Sequence, residues 1–134
     1  PPTPSPVVLC GYSFGSLIAA GAARLLAEGG GGAVQVAAVI AVSPPIGPLT
    51  TASLGTGALW QSFLRDSERA RKLVAMGSFD QFTGLNALRS KLEARNEEAR
   101  SGDSPCPPID LLCYRTNHFW MGQREEMCAD CARW

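Results

Sequence analysis

The chain has 134 residues, a length that fits one domain with a modest hydrophobic core. Its 12 basic and 12 acidic side chains cancel, which argues against a nucleic-acid or anionic-membrane partner. No apolar run approaches the roughly 20 residues that a membrane-spanning helix needs, and no signal peptide is visible.

The cysteine content indicates a reducing compartment. Five cysteines, an odd number, occur without a signal peptide, so we expect free thiols and a cytoplasmic protein. Cys128 and Cys131 form a C-x-x-C pair, but a zinc site would need two further ligands, and only Cys106 lies loosely near them in sequence. We therefore expect no metal, and interpret the pair as two thiols on adjacent turns of a C-terminal helix.

Short apolar, β-branched runs alternate with longer segments that favour helices. The predicted elements, in chain order, are a proline-rich lead-in (1–6), strand 7–10, helix 16–28, a glycine-run loop (29–32), strand 33–42, helix 58–70, strand 72–76, helix 81–100, a polar loop (101–108), strand 109–114 and helix 122–134. This order predicts an α/β domain over residues 7–134, with a parallel sheet of about four strands flanked by helices.

Polar residues suited to nucleophilic chemistry follow three of the predicted strands. In open parallel sheets, ligands bind beyond the carboxyl ends of the strands, so these positions are the ones to inspect. Ser13 follows the first strand, Asp80 the third, and His118, the only histidine, the fourth. The three would therefore meet at one edge of the sheet.

The segment G-Y-S-F-G places Ser13 between Gly11 and Gly15, with a predicted strand before it and a predicted helix after it. This G-x-S-x-G pattern is typical of a nucleophile elbow. We expect a side chain at either glycine to collide with the neighbouring strand or helix. We also expect a strained backbone at Ser13, with the hydroxyl exposed at a helix N-terminus, where negative charge is favoured.

Three further segments strengthen this interpretation: S-P-P after the second strand, G-S-F-D-Q-F after the third and N-H-F-W-M-G after the fourth. Together with the elbow, they resemble a group of small serine hydrolases of the α/β-hydrolase superfamily, distantly similar to the dienelactone-hydrolase type. The resemblance runs from about Val7 to Gly122 and covers the C-terminal half of that fold. Dienelactone hydrolases use a cysteine nucleophile, whereas this chain has Ser13.

The resemblance implies a role for each matching residue. Ser13 would be the nucleophile, His118 the general base, and Asp80 the acid that orients the imidazole. The backbone N–H of Phe14 would be one oxyanion donor, whereas the second donor normally comes from a loop that precedes the elbow. The implied activity is hydrolysis of an ester-like bond in a small-molecule acyl substrate, through an acyl-enzyme and without a cofactor.

The residues themselves leave alternatives open at several positions. Asp80 could act as the N-cap of the helix that begins at Gln81. Asp103, in a polar loop, and Asp110, entering a strand, are poorer candidates for the acid. For each aromatic residue near Asp80 and His118, packing against the sheet is the favoured interpretation; these residues are Phe79, Phe82, Phe119 and Trp120.

The start of the chain, P-P-T-P-S-P without an initiator methionine, suggests a fragment or a processed form. The first strand would then be an exposed sheet edge, open to aggregation or to pairing with a partner. The alternative to an active hydrolase is therefore a truncated, non-catalytic domain, or a half-domain that needs an N-terminal segment or a partner chain.

Overall fold

The computed structural model describes residues 4–29, 34–65, 70–102 and 106–134. Several predicted features lie outside the described residues: the start of the lead-in, most of the glycine run, the first residue of the second predicted strand, the stretch 66–69 of the second predicted helix, and Asp103.

Four strands and five helices make up the described part of the chain. They are, in order, β1 (Ser5–Tyr12), α1 (Phe14–Glu28), β2 (Val34–Val42), α2 (Pro48–Leu54), α3 (Gly57–Arg65), β3 (Arg71–Gly77), α4 (Leu85–Arg100), β4 (Ile109–Tyr114) and α5 (Arg124–Arg133). All three strand pairings are parallel, and the sheet order is β1-β2-β3-β4. The predicted α/β class and the four predicted strands are confirmed.

The sequence interpretation missed helix α2. Its signals are local: Pro48 occupies the first helical position, and Gly55 follows the last residue in the left-handed conformation with φ 62°. The prediction treated this proline-rich and glycine-rich segment as the end of a strand and nothing more. The last predicted helix also begins later than expected, since α5 starts at Arg124.

The sheet separates two hydrophobic cores, because successive side chains of a strand point to opposite faces. Val39 and Ala41 of β2 pack against the face covered by α1, α3 and α4. Ile40 and Val42 pack against the opposite face, with Met127 of α5. The central strands are buried on both faces, which explains their nearly continuous apolar sequence.

Strand β1 lies at one edge of the sheet in the described part of the chain, where β2 is its only hydrogen-bonded neighbour. Its Val8 side chain is 57% exposed, and Ile18 of the following helix is 50% exposed. An apolar edge of this kind can accept another strand.

None of the helices in the described residues is long and apolar enough to cross a membrane.

Phe63 of α3 provides a test of the larger core. It is 1% exposed and stacks on Trp60 with ring centroids 5.2 Å apart. Replacement by alanine leaves a cavity, so we expect Phe63→Ala to lower the free energy of unfolding by about 3–5 kcal/mol. Leu49→Ala is the control, because Leu49 is 86% exposed and its loss should change stability by less than about 0.5 kcal/mol. Urea unfolding curves measure both, and equal midpoints would contradict this assignment of the core.

Candidate active site

Ser13 lies at the sharp turn between β1 and α1. Its backbone has φ 53° and ψ −130°, a left-handed conformation that costs a non-glycine residue roughly 1–3 kcal/mol. Two hydrogen bonds hold the turn: Ser13 N–H donates to Val42 O at 2.8 Å, and the Ser16 hydroxyl donates to Ser13 O at 2.6 Å. The strained turn expected from the sequence is present.

The two glycines of this turn play different parts. A Cβ at Gly11 would overlap the carbonyl of Gly15 and lie 2.6 Å from Ser16 Cα, so the strand and the helix can approach only because Gly11 has no side chain. A Cβ at Gly15 would meet nothing within 4 Å. The expected collision at Gly15 is therefore wrong, because this position faces open space on α1.

The loops after β3 and β4 are joined to each other beyond the ends of the strands. Ser78 N–H donates to Tyr114 O at 2.8 Å, and Phe79 N–H donates to Thr116 O at 3.0 Å. Gly77 permits this approach, since a Cβ there would overlap Thr116 O. The β3–β4 pairing thus continues into the two loops that carry Asp80 and His118.

Ser13, His118 and Asp80 form one hydrogen-bonded row. His118 Nε2 lies 2.9 Å from Ser13 Oγ, and His118 Nδ1 lies 2.7 Å from Asp80 Oδ2. The side chains of His118 and Asp80 are 4% and 1% exposed, whereas Ser13 is half-buried. The structure therefore brings together three residues that lie 67 and 38 positions apart in the chain.

Asp80 uses its second carboxylate oxygen to hold a turn. Oδ1 accepts hydrogen bonds from Phe82 N–H at 2.9 Å and Thr83 N–H at 3.1 Å. Helix α4 begins only at Leu85, with Gly84 as its N-cap, so the helix predicted from residue 81 starts four residues too early. The N-cap role considered for Asp80 is wrong, because its bonds close a loop rather than a helix.

Thr83 connects this turn to the exit of β2. Its hydroxyl donates to Pro44 O at 2.7 Å and accepts from Ile46 N–H at 2.8 Å, and the side chain is 2% exposed. The loop after β2 and the turn of Asp80 are therefore one hydrogen-bonded unit. Sequence reasoning missed Thr83, although it stands directly after the G-S-F-D-Q-F segment.

Trp120 anchors the loop that carries His118. It is 3% exposed, packs edge-on against Tyr114 at 5.2 Å, and donates from Nε1 to Ser43 Oγ at 3.0 Å. Both Trp120 and Ser43 have positive φ, 57° and 47°, so two strained residues meet in this bond. The expected packing of Trp120 against the sheet is confirmed.

The other aromatic residues beside the row are exposed rather than packed on the sheet, contrary to expectation. Phe79, Phe82 and Phe119 are 62%, 40% and 55% exposed. The Phe82 and Phe119 rings contact the His118 ring edge-on, with centroids 4.6 and 5.6 Å away. The loops that carry these rings lie beyond the carboxyl ends of β3 and β4.

Tyr12 is a further contact that the sequence interpretation missed. Its hydroxyl donates to His118 O at 2.9 Å, and its ring lies 5.4 Å from the imidazole. Burial raises the pKa of the Tyr12 phenol, the nearby Asp80 carboxylate raises it further, and Arg124 opposes the shift. The phenol is therefore protonated at neutral pH and remains a donor. The sequence did carry one indication that Tyr12 is near the site, because Tyr12 directly precedes Ser13 in the elbow.

Phe14 is the first residue of α1, and the first N–H groups of a helix have no carbonyl partner within that helix. Its backbone N–H is therefore available beside the Ser13 side chain.

The alternative acid Asp110 lies on β4, where its carboxylate accepts a hydrogen bond from Trp134 Nε1 at 2.7 Å, away from the row.

Cys10, Cys113, Cys128 and Cys131 are free thiols. Cys128 and Cys131 both lie on α5, and burial raises the pKa of the Cys131 thiol to about 11. Residues 4–29, 34–65, 70–102 and 106–134 contain no group of three or more histidine, cysteine or acidic side chains arranged to hold a metal.

Solved structures share this architecture. The chain is similar to an α/β serine hydrolase homologue from Coxiella burnetii, with 20% identity and a TM-score of 0.61, over 94% of this chain and 47% of that one. It is also similar to an esterase from Pyrococcus furiosus, with 17% identity and a TM-score of 0.59, over 96% of this chain and 53% of that one. A third similar structure is acyl-protein thioesterase 2 from Zea mays, with 14% identity and a TM-score of 0.53, over 92% of this chain and 53% of that one. No protein-family model and no curated protein sequence matches the chain.

These similarities, together with the parallel sheet and the strand–turn–helix at Ser13, define the fold. The chain has a partial α/β-hydrolase fold and spans about half the length of the solved structures that it matches. The fold predicted from the four sequence segments is confirmed.

The two elbow glycines allow a matched test. We expect Gly11→Ala to lower the free energy of unfolding by about 1–3 kcal/mol, because the new methyl group would overlap the Gly15 backbone. Gly15→Ala should be neutral or stabilising by up to about 1 kcal/mol, because its methyl group enters open space and alanine favours the helix. Urea unfolding measures both variants, and equal loss of stability in the two would contradict this account.

Thr83 allows a second test, of the connection between the β2 exit and the Asp80 turn. Thr83→Val removes the hydroxyl and leaves buried Pro44 O without its 2.7 Å donor, so we expect a loss of about 1–3 kcal/mol in the free energy of unfolding. Thr83→Ser keeps the hydroxyl and should lose only about 0.8 kcal/mol for the missing methyl group. A valine variant as stable as the serine variant would show that these hydrogen bonds contribute little.

Proposed function

We propose that the chain is a serine hydrolase that cleaves an ester-like bond through an acyl-enzyme. The observation that carries the proposal is the continuous hydrogen-bonded row from Ser13 Oγ through the His118 imidazole to the buried Asp80 carboxylate. Nucleophile, base and orienting acid in this geometry recur on unrelated folds and are recognised by that geometry. The printed names of the matched structures, which include an esterase and a thioesterase, support the same class of reaction.

Each member of the row has a distinct role in this mechanism. Ser13 Oγ attacks the carbonyl carbon of the substrate while its proton passes to His118 Nε2. The carbonyl oxygen gains negative charge, which the N–H of Phe14 at the N-terminus of α1 stabilises. His118 then gives the proton to the departing alcohol, and a water molecule, activated by the same nitrogen, releases the acid from Ser13.

Asp80 keeps the imidazole in the required tautomer. Its Oδ2 accepts the hydrogen of His118 Nδ1, so Nε2 is left free to take the serine proton. The bonds from Phe82 and Thr83 to Oδ1 hold the carboxylate in place during the cycle. The reaction needs no metal or organic cofactor.

The edge position of β1 in the sheet of the described residues supports a second candidate. The same three residues would act only when an N-terminal segment or a partner chain adds a strand beside β1 and supplies a second oxyanion donor. This candidate rests on the position of β1 at the sheet edge and on the match to about half of each solved structure. If no such strand or donor is ever supplied, the chain is a truncated domain that keeps the three residues but does not catalyse the reaction.

Labelling with a fluorophosphonate probe, located by peptide mass spectrometry, tests the proposal. We expect label on Ser13 in the wild-type chain and none in Ser13→Ala. Asp80→Asn should lower the labelling rate by about 10⁴-fold, because the amide presents a hydrogen to Nδ1 and stabilises the wrong tautomer. His118→Ala should lower the labelling rate to a similar extent, because it removes the base.

Ser53→Ala is the matched control, because Ser53 is an exposed serine on α2 whose hydroxyl donates to Leu49 O of the same helix, and its loss should leave labelling unchanged. A folded wild-type chain, judged by circular dichroism, that takes no label would overturn the proposal for this chain alone. The second candidate would then be favoured.

A further inference from the structure

The apolar side chains beside His118 are exposed, although they lie next to a buried polar row. Phe119 and Met121 are 55% and 75% exposed, and both belong to the loop that follows His118. Phe82 adds a third apolar side chain in edge contact with the imidazole. Clustered exposed apolar groups in a protein surface are unusual and mark binding sites more often than scattered single residues do.

A cleft of about 460 Å³ opens beside Phe119 and Met121. Its lining residues are Phe119, Trp120, Met121, Gly122, Arg124 and Glu125. That volume is within the range of small-molecule sites, which are mostly apolar with a few polar groups. Arg124 and Glu125 carry opposite formal charges, so the lining has no net charge to attract an ionic group.

The position of the cleft relative to His118 decides which part of a substrate it can hold. In the proposed reaction, Nε2 returns the serine proton to the oxygen of the departing group, so this group must lie on the imidazole side of the bond that breaks. Phe119 contacts the imidazole at 5.6 Å and also lines the cleft. In the same reaction, the acyl oxygen would face the N–H of Phe14 at the start of α1.

We infer that Phe119 and Met121 form a subsite for the departing alcohol, and that this subsite selects uncharged, apolar alcohols. The inference rests on the proposed function. In the step concerned, the bond between Ser13 Oγ and the acyl carbon forms, the bond from that carbon to the alcohol oxygen breaks, and the serine proton passes through His118 Nε2 to the alcohol. An alkyl chain of the alcohol is then desolvated against the Phe119 ring and the Met121 side chain.

Acetate esters that differ only in the alcohol test this subsite. Hexyl acetate and methyl acetate form the same acyl-enzyme, so a difference in kcat/KM between them reports on the alcohol part alone. We expect a higher kcat/KM for hexyl acetate than for methyl acetate or for the polar analogue 2-(2-methoxyethoxy)ethyl acetate, which has a chain of similar length. Met121→Ala and Phe119→Ala should each lower kcat/KM for hexyl acetate by about 10-fold, and Met121→Ala should lower kcat/KM for methyl acetate much less, because methyl acetate has no alkyl chain to contact Met121.

Two controls accompany the variants. Phe119→Leu keeps an apolar side chain and should retain most of the preference for hexyl acetate, which separates the subsite from any effect on the position of His118. Leu25→Ala removes an apolar side chain of intermediate exposure, 67% against 55% for Phe119 and 75% for Met121, near the far end of α1, and should change kcat/KM for neither ester. Methyl hexanoate tests the acyl side, and its rate should not respond to Met121→Ala.

The outcomes separate the inference from the proposed function. Hydrolysis of methyl acetate that depends on Ser13, without a preference for hexyl acetate or without loss of that preference in Met121→Ala, would overturn the inference and leave the proposed function standing. A Met121→Ala effect on methyl hexanoate instead would assign the cleft to the acyl part and also overturn it. Absence of both ester hydrolysis and Ser13 labelling would overturn both.

Discussion

The hydrogen bond between Asp80 and His118 is the constraint on which the site depends. A carboxylate that is 1% exposed is costly unless each oxygen has partners, and here Oδ2 faces the imidazole at 2.7 Å while Oδ1 accepts two backbone N–H groups. These partners come from loops after two neighbouring strands. The two loops must therefore lie against each other, and backbone hydrogen bonds that continue the β3–β4 pairing beyond the sheet hold them in contact.

The elbow imposes a second constraint from the other end of the row. Ser13 is held at φ 53° because its N–H is tied to Val42 and because Gly11 lets α1 approach β1. Strain of this kind persists only where the surrounding structure holds it. Strained residues also occur at Ser43 and Trp120, which hydrogen-bond to each other and fix the loop of His118. The strain of three separate loops is thus concentrated at the carboxyl edge of the sheet.

Much of the architecture was predictable, because it rests on local patterns. Strand β4 was predicted with its observed bounds, since an apolar run between polar and proline-rich loops has few alternatives. The start of α4 was not predicted correctly. The residues after Asp80 form a turn that is held by hydrogen bonds to Asp80 itself and by the bond from Thr83 to Pro44, which lies 39 positions earlier in the chain. Tyr12 was missed as a site residue for the same reason, since its hydroxyl bonds to a carbonyl 106 positions away.

The sequence by itself determined the alternation of strands and helices, and hence that Ser13, Asp80 and His118 follow strands whose carboxyl ends share one edge of a sheet. Hydrophobic period and turn chemistry suffice for that, because both are read over a few neighbouring residues. Only the tertiary structure decided that the three side chains meet within hydrogen-bond distance, that Gly11 and not Gly15 is sterically required, and that Phe82 and Phe119 face solvent instead of the core. These outcomes depend on distances between loops that are far apart in the chain, and no local pattern encodes such distances.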